Sequence, residues 1–207
     1  MQSNLRFRQK VAAHRVSPES QISDRKLVLY KSGKLPFRII LGIFFVSILF
    51  VVYQIFSDSR KDTLRELVQD EKIWEAVKDL PLPDKDFDKL TEEIKGIQSK
   101  ERKGNPCEQY VIKARFSGFF QCFNCVSGKI YLKEGETWKI GKTCKNENGR
   151  YPSGVPDQGL RYFAEFSGTE IQCLIVEKIK IYAYFFSEEN QNREVLLELP
   201  PGNKIFR

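Results

Sequence analysis

An unbroken apolar stretch near the N-terminus constrains this chain more than any other feature. From Ile39 to Tyr53 every side chain is apolar or small, and the run extends to Phe56, a total of 18 residues. As a helix it would be about 27 Å long, close to the roughly 30 Å of a bilayer's hydrocarbon core. Residues 38–56 are therefore predicted to form a transmembrane helix. A buried core helix would need a larger surrounding domain, and Ser57-Asp58-Ser59 is a poor signal-peptide cleavage site.

The charges that flank this stretch are uneven and predict an orientation. Residues 1–38 carry 9 Lys or Arg and 2 Asp or Glu, whereas the rest of the chain has 25 of each. Because positive charge is retained inside, residues 1–37 are predicted to be a basic cytoplasmic tail attracted to the lipid bilayer, with the C-terminal domain extracytoplasmic. The balanced remainder excludes a uniformly basic nucleic-acid-binding domain.

Residues 57–105 have the pattern of a helical stalk. Two short amphipathic helices are predicted, separated by Pro81-Leu82-Pro83, with Asp84 as the candidate N-cap of the second. We expect them to pack on the terminal domain, the alternative being a coiled-coil homodimer. The apolar positions at helical spacing are Leu64, Leu67, Val68, Trp74, Val77, Phe87, Leu90, Ile94 and Ile97.

Beyond residue 105 the sequence becomes rich in aromatics, glycine and alternating segments. Strands are predicted at 109–116, 129–132 and 137–140, and a helix from Gln172 to Phe186. The predicted fold class is α+β: one transmembrane helix, a helical stalk, and then, in residues 106–207, a small antiparallel sheet flanked by helices.

This domain resembles the GIY-YIG nuclease superfamily over roughly its last hundred residues. The resemblance rests on Tyr110-Val111-Ile112 in one strand, Lys139-Ile140-Gly141 in a later strand, Arg150, and Glu177 on the helix. The closing segment, residues 199–205, is also similar to the ending of GIY-YIG-like domains in bacterial proteins, especially of the Bacteroidetes type.

The resemblance implies a role for each matching residue. Tyr110 would be the general base, Arg150 would contact the scissile phosphate, and Glu177 would hold one divalent metal ion, Mg²⁺ or Mn²⁺. Asn203 would match the family's C-terminal Asn. Lys139 stands where the second motif of the family has Tyr.

All five cysteines lie in the terminal domain. Cys122 and Cys125 have the C-x-x-C spacing, but they lack the βαβ context of a thioredoxin-like site and the second pair of a four-cysteine zinc site. In an extracytoplasmic domain, one or two disulfides with one cysteine left over are expected. In a cytoplasmic domain, buried thiols are expected instead.

Two functions are consistent with these features. The first is a non-catalytic binding or assembly module without a cofactor, which acts on a protein partner at the membrane. Lys139 in place of Tyr favours it, as does the balance of 14 basic and 12 acidic residues in residues 107–207. The alternative is a divalent-metal-dependent DNA endonuclease, the one case in which DNA is a partner. The single histidine, His14, lies in the tail, which excludes histidine-based triads from the domain.

A reporter fused after Arg207 tests the orientation. Alkaline phosphatase needs an oxidising compartment and is expected to be active there, because the basic tail retains the N-terminus inside. The matched β-galactosidase fusion is expected to be inactive. The opposite pattern would show that the domain is cytoplasmic.

Overall fold

The computed structural model describes residues 37–84, 86–100 and 104–205, so the tail predicted for residues 1–37 lies almost wholly outside the described residues. The chain divides into two units, residues 1–43 and residues 44–207. The elements are α1 (Phe37–Val68), α2 (Glu71–Val77), α3 (Phe87–Gln98), β1 (Pro106–Ala114), β2 (Gly118–Gln121), β3 (Lys129–Leu132), β4 (Thr137–Thr143), α4 (Asn146–Arg150), β5 (Leu160–Thr169), α5 (Glu170–Tyr184) and α6 (Glu188–Gln191). The predicted α+β class with an antiparallel sheet is confirmed.

Helix α1 contains the predicted transmembrane segment and extends beyond it. Its segment Leu41–Val68 is long and apolar enough to cross a membrane. Large apolar side chains such as Phe44 and Leu49 are exposed in the protein, as expected for a surface that contacts lipid. The helix continues past residue 56, the predicted end of the span. Leu64 and Val68, in its last turns, are buried in the domain core.

The helices predicted as a stalk share one hydrophobic core with the C-terminal part of the chain. The ion pair between Lys178 Nζ and Glu93 Oε2, at 2.6 Å, and the hydrogen bond from the Tyr182 hydroxyl to Glu93, at 3.0 Å, join α3 to α5. The described residues of 57–84 and 86–100 therefore belong to the folded domain. The buried members of this core are Leu64, Val68, Ile73, Val77, Phe87, Leu90, Ile94, Cys107, Phe166, Cys173, Ile175, Val176, Ile179 and Tyr182.

Two details of the predicted stalk are wrong. The first predicted helix is interrupted at Gln69, whose φ is +47°, and a new helix begins after Asp70, whose carboxylate accepts hydrogen bonds from the backbone of Lys72 and Ile73. The N-cap of α3 is Asp86, not Asp84. Asp84 instead forms an ion pair with Arg60, which joins the loop between α2 and α3 to α1.

The main sheet has the order β4-β1-β5, so β1 is central and antiparallel to both neighbours. Strand β3 matches its prediction at both ends, while β2, its partner in a separate two-stranded sheet, and β5 were not predicted. Helix α5 begins two residues before its predicted start, at Glu170. It begins there because Thr169 and Gln172 form a capping box.

Two disulfides are present, Cys107–Cys144 and Cys122–Cys125, and Cys173 is a buried free thiol. The first disulfide joins residues 37 apart, the second residues only 3 apart. Loop-closure entropy assigns about 4 kcal/mol of stabilisation to the longer loop and about 2 kcal/mol to the shorter one. The longer disulfide is therefore the main covalent staple, and the shorter one acts locally.

Truncation tests the shared core. A fragment of residues 58–207 is expected to be soluble and to unfold cooperatively, because it retains Leu64 and Val68 and lacks the apolar span. A fragment of residues 106–207 is expected to aggregate, since Ile175, Val176 and Ile179 would lose their cover. Size-exclusion chromatography and thermal unfolding measure both. A monodisperse, cooperatively folded 106–207 fragment would show that α1–α3 are dispensable.

Candidate functional site

A cavity of about 720 Å³ lies beside the strand pair β1–β4. The five residues singled out through the GIY-YIG resemblance, which come from distant parts of the chain, all line it: Tyr110, Lys139, Arg150, Glu177 and Asn203. They share the lining with Phe123, Trp138, Ile140, Gly141, Lys142, Pro156, Leu174, Gly202, Lys204 and Ile205.

Tyr110 and Gly141 form the floor of the cavity where β1 and β4 are directly paired. A Cβ atom on Gly141 would lie 2.6 Å from Cζ of Tyr110, so the phenol ring needs a glycine at this position. On its other side the Tyr110 ring stacks on Tyr162 at 4.6 Å between ring centroids. Tyr162 also donates a hydrogen bond to Glu108 at 2.5 Å, which holds the Tyr162 ring in place against Tyr110.

The Tyr110 hydroxyl lies among polar partners. It is 3.0 Å from the hydroxyl of Tyr151, and its hydrogen bond with Arg150 raises the pKa of that guanidinium. Burial, together with the hydrogen bond to Tyr110, raises the pKa of Tyr151, which is therefore neutral at physiological pH. The Tyr110 hydroxyl thus lies between a guanidinium and a second phenol, both of which form hydrogen bonds with it.

Asn203 extends the sheet rather than offering free polar atoms. Its side-chain amide accepts a hydrogen bond from Ile140 N at 3.0 Å and donates one to Ile140 O at 2.9 Å. The preceding residue, Gly202, donates its backbone N–H to Trp138 O. The chain end thus pairs with the outer edge of β4 and forms one wall of the cavity.

The C-x-x-C loop, residues 122–125, contacts the C-terminal segment that forms this wall of the cavity. Cys122 and Cys125 are joined in a disulfide, so they are not thiol ligands or nucleophiles in this state. Between them, Asn124 Nδ2 donates hydrogen bonds to the carbonyl oxygens of Leu199 and Pro200, at 3.0 and 3.1 Å. This loop therefore contacts the C-terminal segment directly.

The charged residues of the cavity lining are predominantly basic. Among the described lining residues, Lys139, Lys142, Arg150 and Lys204 are basic and Glu177, which is mostly buried, is the one carboxylate. Lys142 is paired with nearby Glu170 at 2.6 Å. Cations gathered in a cleft raise the local concentration of anions. This local excess of basic residues could not be predicted from the near-neutral net charge of the whole domain.

Three contributors were missed in the sequence. Lys142 follows Gly141, Lys204 follows Asn203 and Tyr151 follows Arg150, so each is next in sequence to a residue named in the resemblance. Their contribution depends on tertiary contacts, such as the 4.6 Å approach of Lys204 Nζ to the Phe123 ring.

The donor set bears on the metal implied by the resemblance. In the part of the chain that the structure describes, no group of three or more His, Cys, Asp or Glu residues is arranged to hold a metal. Mg²⁺, however, is commonly held by one or two carboxylates together with substrate phosphates and water. Glu177 is the one carboxylate in the lining, so such an ion would take its remaining ligands from phosphate oxygens and water.

Comparisons with known proteins do not extend this picture. The chain matches no family model, no curated protein and no solved structure. The GIY-YIG resemblance therefore depends on the residues named above, and function is inferred from the cavity itself.

Substitution of Gly141 tests the floor of the cavity. Gly141→Ala is expected to lower the free energy of unfolding by about 1–3 kcal/mol, because the new methyl group overlaps the Tyr110 ring. The control is Gly96→Ala in α3, where nothing lies within 4 Å of the added atom and the helix should gain up to about 1 kcal/mol. Urea unfolding of both variants measures the difference. Equal stability would mean that Tyr110 is not held against Gly141.

Proposed function

We propose that this chain is a single-pass membrane protein whose C-terminal domain is a non-catalytic binding module for a phosphate-bearing anion. The observation that carries the proposal is the set of four basic side chains around one cavity. Arg and Lys donate charge-assisted hydrogen bonds to phosphate oxygens, and Arg does so with two parallel bonds. The Tyr110 hydroxyl on the cavity floor adds a neutral hydrogen-bonding group beside Arg150.

The proposed orientation has the basic tail in the cytoplasm and the domain outside it. The uneven charge on either side of the apolar helix supports this orientation. The two disulfides support it independently, because disulfides persist in oxidising compartments. The binding module would then take its ligand from the extracytoplasmic side, close to the bilayer that anchors it.

A divalent-metal-dependent DNA endonuclease is the second candidate. It is favoured by one specific observation: Tyr110, Arg150 and Glu177 line the same cavity although they are far apart in sequence. In this function Tyr110 would accept a proton from the attacking water, and Arg150 would stabilise charge on the phosphate. Glu177 would hold a metal ion that supplies Lewis-acid stabilisation when bound. Lys139, where the family has Tyr, favours the binding module over the enzyme.

Binding of a labelled oligonucleotide, a convenient model phosphodiester, tests the first proposal. The double variant Lys139→Gln with Lys204→Gln is expected to weaken binding by about tenfold or more and to reduce the salt dependence, because two phosphate contacts are lost. Its control is Lys129→Gln with Lys133→Gln, which removes the same charge from exposed positions outside this cavity. Fluorescence anisotropy at several salt concentrations measures both. Equal losses in the two variants would refute a cavity-specific site.

Cleavage of plasmid DNA with Mg²⁺ or Mn²⁺ separates the two candidates. Under the binding proposal, the wild-type protein is expected to nick no more DNA than Glu177→Gln. Nicking that requires Glu177 and a divalent ion would establish the endonuclease instead.

A further inference from the structure

We infer that the Cys122–Cys125 disulfide is a redox latch on the cavity, whose reduction frees the C-terminal wall and weakens ligand binding. The effect on binding rests on the proposed function. The release of the wall is a property of the fold and is tested separately below.

The two residues between the cysteines make the contacts that hold the wall. Asn124 donates hydrogen bonds from its side-chain amide to the carbonyl oxygens of Leu199 and Pro200. Phe123 donates its backbone N–H to Pro201 O at 2.8 Å. These donors reach three successive carbonyl groups, so the conformation of a very short loop sets three of the contacts that hold the segment, beside those that Gly202 and Asn203 make with β4.

The segment held in this way builds the cavity. A Cβ atom on Gly202 would lie 2.7 Å from the Trp138 ring, so the segment packs tightly on that indole. Asn203 completes the edge of β4 through Ile140, and Lys204 approaches Phe123, a residue of the latch loop itself. Release of the segment would therefore displace Lys204, one of the four cavity cations, and would expose the edge of β4.

The position of this disulfide suits local control rather than global stability. It closes a loop between residues 3 apart, whereas Cys107–Cys144 closes one between residues 37 apart. Its loss therefore removes less constraint from the unfolded chain than loss of Cys107–Cys144 would. Cys122 is buried and Cys125 is half-buried within an otherwise exposed loop, so an external thiol reaches the Cys125 sulfur more readily.

The proposed step is a thiol–disulfide exchange with an external dithiol. A thiolate of the dithiol attacks the Cys125 sulfur, the Cys122–Cys125 bond breaks, and Cys122 leaves as a thiolate that takes a proton from water. The second thiol of the reductant then displaces Cys125 from the mixed disulfide. The protein gains two electrons and two protons, and the dithiol is oxidised to its disulfide.

The experiment uses the full-length chain in detergent, with hydrogen exchange read on peptides that cover residues 199–205. The variant Cys122→Ser with Cys125→Ser is expected to exchange about tenfold faster than wild type in this segment, because local opening there costs less free energy. Its control, Cys107→Ser with Cys144→Ser, is expected to leave the segment protected relative to the rest of the domain. Asn124→Ala, which keeps the disulfide, is expected to speed exchange in the same peptides.

Oligonucleotide affinity is measured on the same samples, with and without dithiothreitol. The Cys122/Cys125 variant and reduced wild type are expected to bind about tenfold more weakly than oxidised wild type, since Lys204 no longer faces the ligand. Unchanged exchange in residues 199–205 would overturn the latch, whatever the affinity. Faster exchange with unchanged affinity would overturn the regulatory effect. Faster exchange in a protein whose oxidised form binds no oligonucleotide would support wall release and refute the proposed ligand.

Discussion

The burial of helix α5 between two layers is the constraint on which the rest of the domain depends. Ile175, Val176 and Ile179 pack in the core shared with α1, α2 and α3, while Ile181 and Tyr184 pack with residues of β1 and β4. A helix covered on both sides cannot rotate without exposing apolar surface or burying charge. The capping box at Thr169 also fixes its first turn. The polar residues of α5 are consequently held in defined directions.

Three neighbouring polar residues show the consequence of that fixed orientation. Glu177 lines the cavity, Lys178 is paired with Glu93 in the layer of N-terminal helices, and Lys180 is bonded to Gln109 and Glu165 of the sheet. The three side chains therefore point to different parts of the domain: the cavity, the N-terminal helices and the sheet. Loss of Glu93 would leave the Lys178 ammonium buried without a partner, which is strongly destabilising and would disturb the turn that also carries Glu177. Stability and cavity geometry therefore depend on the same helix.

The sequence predicted elements whose signals are local. Strand β3 lies between turn residues, with Gly128 at φ +69° and Gly135 at φ +84°, and α5 has a long apolar period. Strand β5 was missed because Phe163 and Ala164 are exposed apolar residues among buried ones, which blurs the alternation. The break before α2 occurs at Gln69, whose positive φ is not indicated by the regular apolar spacing on either side of it. Asp70 caps the new helix and is also held by Gln172, 102 residues away, whose hydrogen bond lowers the Asp70 pKa.

The residues of the candidate site also differ in how far the sequence could predict them. Tyr110, Arg150 and Glu177 were chosen through a family resemblance and not through any local period, and the fold brings all three to one cavity. Asn203 was also named as a site residue, but its amide bonds to the backbone of Ile140, as a neighbouring strand would. This contact could not be predicted from the sequence, because it depends on which edge of β4 is left unpaired in the sheet. Lys204 becomes part of the cavity only when the C-terminal segment is held. No local pattern encodes that contact, because it depends on the C-x-x-C loop.

The path of α1 relates this cavity to the membrane. The helix is continuous from its apolar residues to Leu64 and Val68, which are buried with α5. Between Phe56 and Val68 it rises about 18 Å, so no flexible linker separates the exposed apolar part of residues 44–68 from the domain core. A flexible tether would let the domain search a large volume, at an effective concentration set by its length. With the apolar part of α1 in a bilayer, as proposed above, the helix itself would keep the domain within a short distance of the membrane surface. A proposed ligand of the cavity would then have to be accessible close to that surface, because a rigid helix gives the domain no reach into bulk solution.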